Sequence, residues 1–497
     1  MKRKPPSQRR QKLHVYFSDF FGVEPGVLEE HGVFNVSLIN DLPLFIDPFL
    51  LFNSKKPEYT ALHEEIIRYL RFLRDKFSSG QVEEGLLRAW YTFNEVKQNW
   101  LGFSRIGNDG RGLDIKFARA LNRNLNTVFS TFGQEKIARG SHLEKLTLIS
   151  SGVGRDNISD FTTNLIKGFL LRFTEDFAKE HVAPHQCRRI AVEKVAFNYD
   201  TESWERSAFT LPMYGGDYVL LTPKDILTRD ETWISRRDLI ETISDIAEAL
   251  PNAALRTQFS NYMSRQLSKN PTNKEVRAAR ASAIEQFPAL IEHYLKRKED
   301  TGDSAQAESS KRVRESEEFF IEQIGSLVER LSETTKFYRS AGDTYSEARK
   351  RVMFLKDVIE NKDGYRFFYY QGKPIHREEH LQIMYRLTWL ATPLDVNREV
   401  NNGRGPVDFK VSRGTDRTLV EFKLASNKKL RQNLEHQVEV YQRASDTDKA
   451  LKVILFFTQE EEDKVSNVLK DLKLQKAKDI ILIDACKDNK PSASTVR

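Results

Sequence analysis

The stretch GRGPVDFKVSRGTDRTLVEFKLASN, residues 403–427, constrains this chain more than any other. Two short β-prone runs, PVDFKVS and TLVEFKL, flank the turn-forming segment Arg413-Gly414-Thr415-Asp416-Arg417. Successive side chains on a strand point to opposite faces. Glu421 and Lys423 therefore share one face, while Val420, Phe422 and Leu424 share the other, apolar one. Across the hairpin, Asp408 can come alongside Glu421. Two neighbouring carboxylates cost free energy unless a cation sits between them. With a lysine beside them, the set suits Mg²⁺-assisted phosphodiester cleavage. The carboxylates hold the metal, the metal activates water, and the lysine steadies the water or the developing negative charge. The plainer reading is a surface salt-bridge cluster. It must explain why charges interrupt a strand whose other face is strongly apolar.

Composition bounds the rest. A chain of 497 residues predicts two to four domains. With 39% hydrophobic and 30% charged residues it reads as a soluble globular protein, and its two distant cysteines fit a reducing cytoplasm. No apolar run approaches the roughly 20 residues needed to span a bilayer, so no membrane partner is expected. The basic start MKRKPPSQRRQK has no apolar core behind it and reads as a flexible tail over residues 1–12, not a secretory signal. The two cysteines, Cys187 and Cys486, are far apart, which argues against a disulfide framework. A net charge of +7 favours polyanionic partners, modestly for this length.

Periodicity divides the chain. Residues 13–298 read as a mixed α/β, helix-rich recognition or regulatory region. It has helices over 60–77 and about 159–181, and strands over 146–150 and 218–222. Residues 299–310, EDTGDSAQAESS, are polar and free of aromatics, the best linker signal in the chain. A helix-prone stretch follows to about residue 360. In it Phe320, Ile324, Leu327, Leu331 and Tyr338 recur at near-heptad spacing suited to packing within the chain. Linker and connector together occupy 299–364. The last part, 365–497, reads as helix 377–390, strands 395–400, 406–412 and 418–424, helix 427–444, strand 450–458, helix 460–475 and a final strand IILID.

That order, with acids on the second and third strands, resembles the PD-(D/E)xK, or restriction endonuclease-like, nuclease superfamily. The matching residues are Asp408 and Glu421-Phe422-Lys423, with Pro406-Val407-Asp408 in place of an adjacent Pro-Asp. The resemblance covers roughly residues 365–486. It implies an αβββαβ core with a mixed central sheet, metal binding by Asp408 and Glu421, and a water-positioning role for Lys423. Members often carry a glutamate on the first core helix, a place for which Glu378 and Glu379 compete. They also carry a glutamine and a tyrosine on the helix after the Glu-x-Lys strand, as Gln437 and Tyr441 do here. Glu399 is placed to support the ligands, and Arg404 is either a phosphate contact at the mouth of the site or a solubilising loop residue.

The resemblance leads to a Mg²⁺-dependent endonuclease, with Mn²⁺ able to substitute, that cleaves DNA rather than RNA. A large accessory region joined to such a core is similar in layout to bacterial phage-defence effectors. Expected partners are nucleic acid, a further copy of the chain for double-strand cleavage, or a protein encoded elsewhere. The alternatives are an RNA nuclease and a non-catalytic binding protein on the same fold.

Signals in the first region are weaker. Asp156 and Ser159 read as caps of a helix after Gly154, or Asp156 and Asp160 as part of a second acidic site. Residues 107–112 read as a turn. His181, His185 and Cys187 superficially match zinc spacing but lack a fourth ligand. Trp90, Trp100, Trp204 and Trp233 read as core or interface residues.

Overall fold

A computed structural model describes residues 15–38, 42–78, 83–102, 113, 117–119, 121, 135–149, 153–229, 231–317, 342–362, 364–370, 373–374, 378–389, 395–401, 406–435, 447 and 449–490. The protein is mixed α/β and divides into two compact units. One comprises residues 15–104 and 108–314; the other contains residues 315–497. Among the described residues no helix is long and apolar enough to cross a membrane. The tail 1–12, the near-heptad residues 320–338 and the turn 107–112 lie outside the described residues.

The first unit is helix-rich. The expected helix near 60–77 is the long helix Pro57–Ser78, and the one near 159–181 is two, Arg155–Leu165 and Lys167–His181. A three-stranded antiparallel sheet joins Cys187–Asn198, Ser203–Tyr214 and Asp217–Tyr218. Helices Arg236–Glu248, Asn273–Gln286 and Ala289–Asp300 share a core with Phe49 and Leu50.

Three local expectations are corrected. Of the expected strand 146–150, residues 146–149 are helical, within Lys145–Ile149, residue 150 lying outside the described residues; the Thr147 hydroxyl donates back to the Glu144 carbonyl at 2.7 Å. Five-residue apolar runs do not separate the two states by periodicity. Of the next candidate, 218–222, only Tyr218 is strand, within Asp217–Tyr218. The N–H groups of Val219, Leu220 and Leu221 go instead to Pro212 O, Gln98 O and Thr174 Oγ1. The polar stretch 299–310 is helical, in Ala289–Asp300 and Gly302–Glu317. Ala305, Ser309, Val313 and Ser316 form a buried stripe of small side chains at helical spacing. Glu299 is itself buried, accepting from Arg139 N at 2.7 Å, Gly140 N at 2.9 Å and His142 Nε2 at 2.9 Å.

The second unit is built on one five-stranded sheet. Its elements are helices α1 (Thr344–Asn361), α2 (Glu378–Leu387) and α3 (Gln459–Asp471), and strands β1 (Asp395–Asn401), β2 (Pro406–Arg413), β3 (Asp416–Leu424), β4 (Ala450–Phe456) and β5 (Ile480–Asp484). The spatial order is β5-β4-β3-β2-β1. β1, β2 and β3 pair antiparallel, whereas β3–β4 and β4–β5 are parallel. The β2–β3 turn is two residues long, with Arg413 opposite Asp416. Gly414 sits there at φ +61°, a conformation L side chains rarely adopt. Helix α1 lies outside the expected boundary at 365 yet packs on four strands of this sheet. Its stripe of Ala348, Val352, Leu355 and Ile359 is buried. Residues 430–435 are helical and begin the helix expected after β3.

On one sheet face the Tyr385 ring stands 5.1 Å from Phe409 and 5.1 Å from Phe422, in edge-on geometry. Tyr385 therefore anchors α2 beneath β2 and β3. The end of α2 is tied to α1 by Arg351, which is fully buried. Its guanidinium donates to Thr388 O at 3.1 Å and pairs with Glu347 at 2.5 Å, and it lies 3.9 Å over the Trp389 ring. Arg351→Ala leaves the Glu347 carboxylate buried without its partner. Denaturant unfolding should show a loss of about 3–5 kcal/mol, the range for breaking a buried pair from one side. A loss below about 1 kcal/mol, the scale of an exposed pair, would contradict this role.

Candidate functional site

The β2–β3 ladder runs from Arg413–Asp416 to Phe409–Val420 and stops there. Beyond it β2 stays paired with β1, Val407 opposite Val400 and Pro406 opposite Asn401. The sheet forks, and the strand residues past the fork carry the acids. In β3 the N–H groups of Leu419 and Ala425 point toward the β4 side, bonding Lys449 O and Leu455 O. By alternation those of Phe422 and Leu424 point to the β2 side, where the ladder has ended. Each takes a carboxylate instead. Phe422 N donates to Asp408 Oδ2 at 2.5 Å, and Leu424 N donates to Glu378 Oε1 at 3.3 Å. Two backbone donors left by the fork thus position two acids.

The Lys423 ammonium stands 3.4 Å from Glu421 Oε1, 3.5 Å from Glu378 Oε2 and 3.9 Å from Asp408 Oδ2. The four side chains are between 10% and 26% exposed, so solvent reaches them but screens them weakly. Burial pushes the Asp408 carboxyl up to about 7; Lys423 and the Phe422 N–H oppose this, and the Glu421 and Glu378 charges add to it. Burial also raises Glu421, against the pull of Lys423 and Lys452. For Lys423, burial alone would lower the value, but the three carboxylates outweigh it and hold the ammonium above its ordinary range.

The structure therefore brings together Glu378, Asp408, Glu421 and Lys423. Of the two adjacent helix acids the described one, Glu378, reaches Lys423, with the Asn427 amide 3.5 Å from its Oε1. Glu379 lies in α2 and Glu399 in β1, but their side chains lie outside the described residues, as do Arg404, Gln437 and Tyr441 altogether. One buried residue escaped sequence reasoning. Lys452 sits opposite Glu421 in the parallel β3–β4 register and donates to Asn433 O at 2.9 Å. Burial lowers its ammonium, with Glu421 opposing. The only hint was one charge inside the apolar run ALKVILF.

Three carboxylates face one fixed ammonium, and burial resists the charge of two of them. Such an oxygen-only, net-negative donor set fits a hard divalent cation such as Mg²⁺. Asp408, Glu421 and Glu378 are the residues that would hold it, but their oxygens do not all lie within 4.8 Å of one another, so a shared ion requires the carboxylates to close in.

The acidic residues of the first unit form a separate group. Helix Arg155–Leu165 is capped at Gly154 by Asn157, whose Oδ1 accepts Gly154 N at 3.0 Å, rather than by Asp156 or Ser159. Ser159 Oγ instead accepts Ile46 N at 2.9 Å. Burial, with the Glu95 and Asp156 charges behind it, pushes Asp160 up to about 7.

Two family models match the chain, each a domain of unknown function. DUF8370 covers residues 22–235 and DUF8371 covers residues 344–459. The second starts at α1 and ends just past β4, so it contains Glu378, Asp408, Glu421, Lys423 and Lys452. No curated protein and no solved structure matches the chain.

A cation bound by Asp408 would have to displace its proton. Asp408 is raised from the ordinary carboxylate range to about 7, so the folded apo protein keeps a proton between about pH 4 and 7 that the unfolded chain has released. Its contribution to apo stability is therefore present at low pH and lost as pH rises toward 7. Mg²⁺ or Mn²⁺ affinity runs the opposite way, climbing by up to about tenfold per pH unit below 7 and levelling above it. Isothermal titration between pH 5.5 and 8.5 measures this. A flat profile in the native chain would contradict it.

Proposed function

We propose that the second unit is a metal-dependent nuclease of PD-(D/E)xK type that hydrolyses phosphodiester bonds in DNA. The single observation carrying this reading is the convergence of Asp408, Glu421 and Glu378 on Lys423 Nζ at 3.4–3.9 Å, at the open fork of a sheet. The order of helices and strands around it and the mixed sheet support the same reading.

When bound, Mg²⁺ supplies Lewis acidity toward the scissile phosphate and toward the attacking water. Asp408, Glu421 and Glu378 would hold it. Lys423, kept charged by its neighbours, orients the water for in-line attack at phosphorus and offsets negative charge on the phosphoryl oxygens. As the water oxygen bonds to phosphorus, the bond to the departing sugar oxygen breaks; the water's proton passes to solvent and the leaving oxygen takes one from solvent. Lys452, opposite Glu421 on the next strand, adds a positive charge that favours the ionised carboxylate. This metal chemistry acts on the phosphate and does not distinguish the sugars, so the choice of DNA is drawn from the superfamily. The role as a bacterial anti-phage effector, working in the cytoplasm, is drawn from the layout alone: a large first unit for recognition joined to one nuclease core.

The test is Mg²⁺-dependent cleavage of supercoiled plasmid, linear duplex and RNA by the full chain and its variants. Asp408→Ala, Glu421→Ala and Lys423→Ala should each lose roughly 10²–10³-fold in rate, about 3–4 kcal/mol of transition-state stabilisation. Glu378→Ala should lose more than Glu379→Ala, and Asp160→Asn, in the other unit, should cut like the native chain. Equal cutting by the native chain and all three core variants would remove the assignment, and cutting of RNA alone would move it to the other nucleic acid.

A further inference from the structure

The motif HVAPHQC does not assemble as its spacing suggests; His181 turns to a residue 150 positions away. His31 caps helix Pro25–Glu30, and Glu180 and His181 end helix Lys167–His181. Their ligand-capable atoms all lie within 4.8 Å of one another. His31 Nε2 and His181 Nε2 are 3.2 Å apart, and Glu180 Oε1 is 3.7 Å from His181 Nε2. The rings pack at 4.6 Å, and the Phe177 ring stands 5.4 Å from His31 and 4.9 Å from His181.

The other nitrogen of His31 decides what its Nε2 offers. His31 Nδ1 lies 2.9 Å from the Val27 carbonyl, which can only accept, so Nδ1 carries the proton. Nε2 of the neutral ring is then a lone pair directed at His181. This is the arrangement in which ligating histidines are held, one nitrogen on a backbone carbonyl and the other on the metal. Bond lengths of about 2.0–2.1 Å to nitrogen put neighbouring ligands of a tetrahedral ion about 3.3 Å apart. The two imidazole nitrogens already have that spacing, and the carboxylate oxygen, 3.7 Å from His181 Nε2 and within 4.8 Å of the His31 ligand atom, has to move closer to both. The end of a 15-residue helix adds the negative pole of its dipole, which favours a cation there.

We propose that His31, Glu180 and His181 form a three-ligand site for a divalent metal of the Zn²⁺ class, with a fourth position open to water or an exogenous ligand. Two imidazoles and one carboxylate suit a borderline cation, unlike the oxygen-only set around Lys423, so the two sites select different metals. The bound ion joins the end of helix Pro25–Glu30 to the end of helix Lys167–His181. The competing arrangement is a plain imidazole pair, with His181 Nε2–H donating to His31.

Equilibrium dialysis of the full chain against Zn²⁺ separates these, with excess Mg²⁺ present to occupy the carboxylate site. The native chain should retain one equivalent. Loss of a mere supporting partner costs about 10–100-fold in metal affinity, so His31→Ala and His181→Ala should weaken binding at least that much. His181→Gln serves if an alanine variant does not fold, as judged by circular dichroism. Cys187→Ser and Asp408→Ala should keep the equivalent, the latter showing that the site stands apart from the nuclease reading. Co²⁺ should give the intense visible bands of a four-coordinate ion in the native chain and not in the histidine variants. No retained Zn²⁺ in the native chain, or equal retention after loss of either histidine, overturns the proposal.

Discussion

One ammonium among three carboxylates, in a place water only partly reaches, governs the second unit. At an effective dielectric near 20, each attraction at these separations is worth about 4 kcal/mol. The carboxylates repel one another on the same scale, and each has lost part of its hydration. The sum is visible in the titration directions. Lys423 is held charged, while Asp408 and Glu421 are pushed toward neutrality despite lying beside it. A cluster in this condition gains from further positive charge. That electrostatic deficit, more than the pattern of letters, is what suits it to a divalent ion.

The fold keeps the deficit from relaxing. If β2 and β3 stayed zipped beyond Phe409, the N–H groups of Phe422 and Leu424 would be spent on a ladder. Because the strands part, those donors fix Asp408 and Glu378. Lys452, on the neighbouring parallel strand, is anchored by two main-chain carbonyls of residues 433 and 434 and stands across from Glu421. Helix α2 cannot drift and carry Glu378 away, since Tyr385 is wedged against Phe409 and Phe422, and Arg351 clasps the residue after its end. The acids sit on rigid elements whose own packing is apolar and dense.

How much of this could be read from the letters follows from what is local. Strand alternation placed Glu421 and Lys423 together and Phe422 opposite, because a period of two needs no tertiary information. It could not place Glu378, whose partners in space are the Leu424 N–H, the Lys423 ammonium and the Asn427 amide. Lys452 was invisible because pairing of β3 with β4 is a parallel crossover, and its register is not encoded in either strand alone. The stretch 299–310 looked like a linker since its buried stripe is alanine and serine, residues that pack well yet leave no hydrophobic signature. His31 and His181 meet only because helices far apart in sequence end side by side. The site's core was legible, its supports were not, and the cause in each case is range along the chain.

The most direct measurement of the central claim is a crystal structure of the chain soaked with Mn²⁺, read by anomalous scattering. The account expects a peak at the fork of β2 and β3, within about 2.0–2.3 Å of carboxylate oxygens of Asp408 and Glu421, with Lys423 Nζ nearby and unligated. No peak at the fork, with these carboxylates turned away from one another, would contradict it.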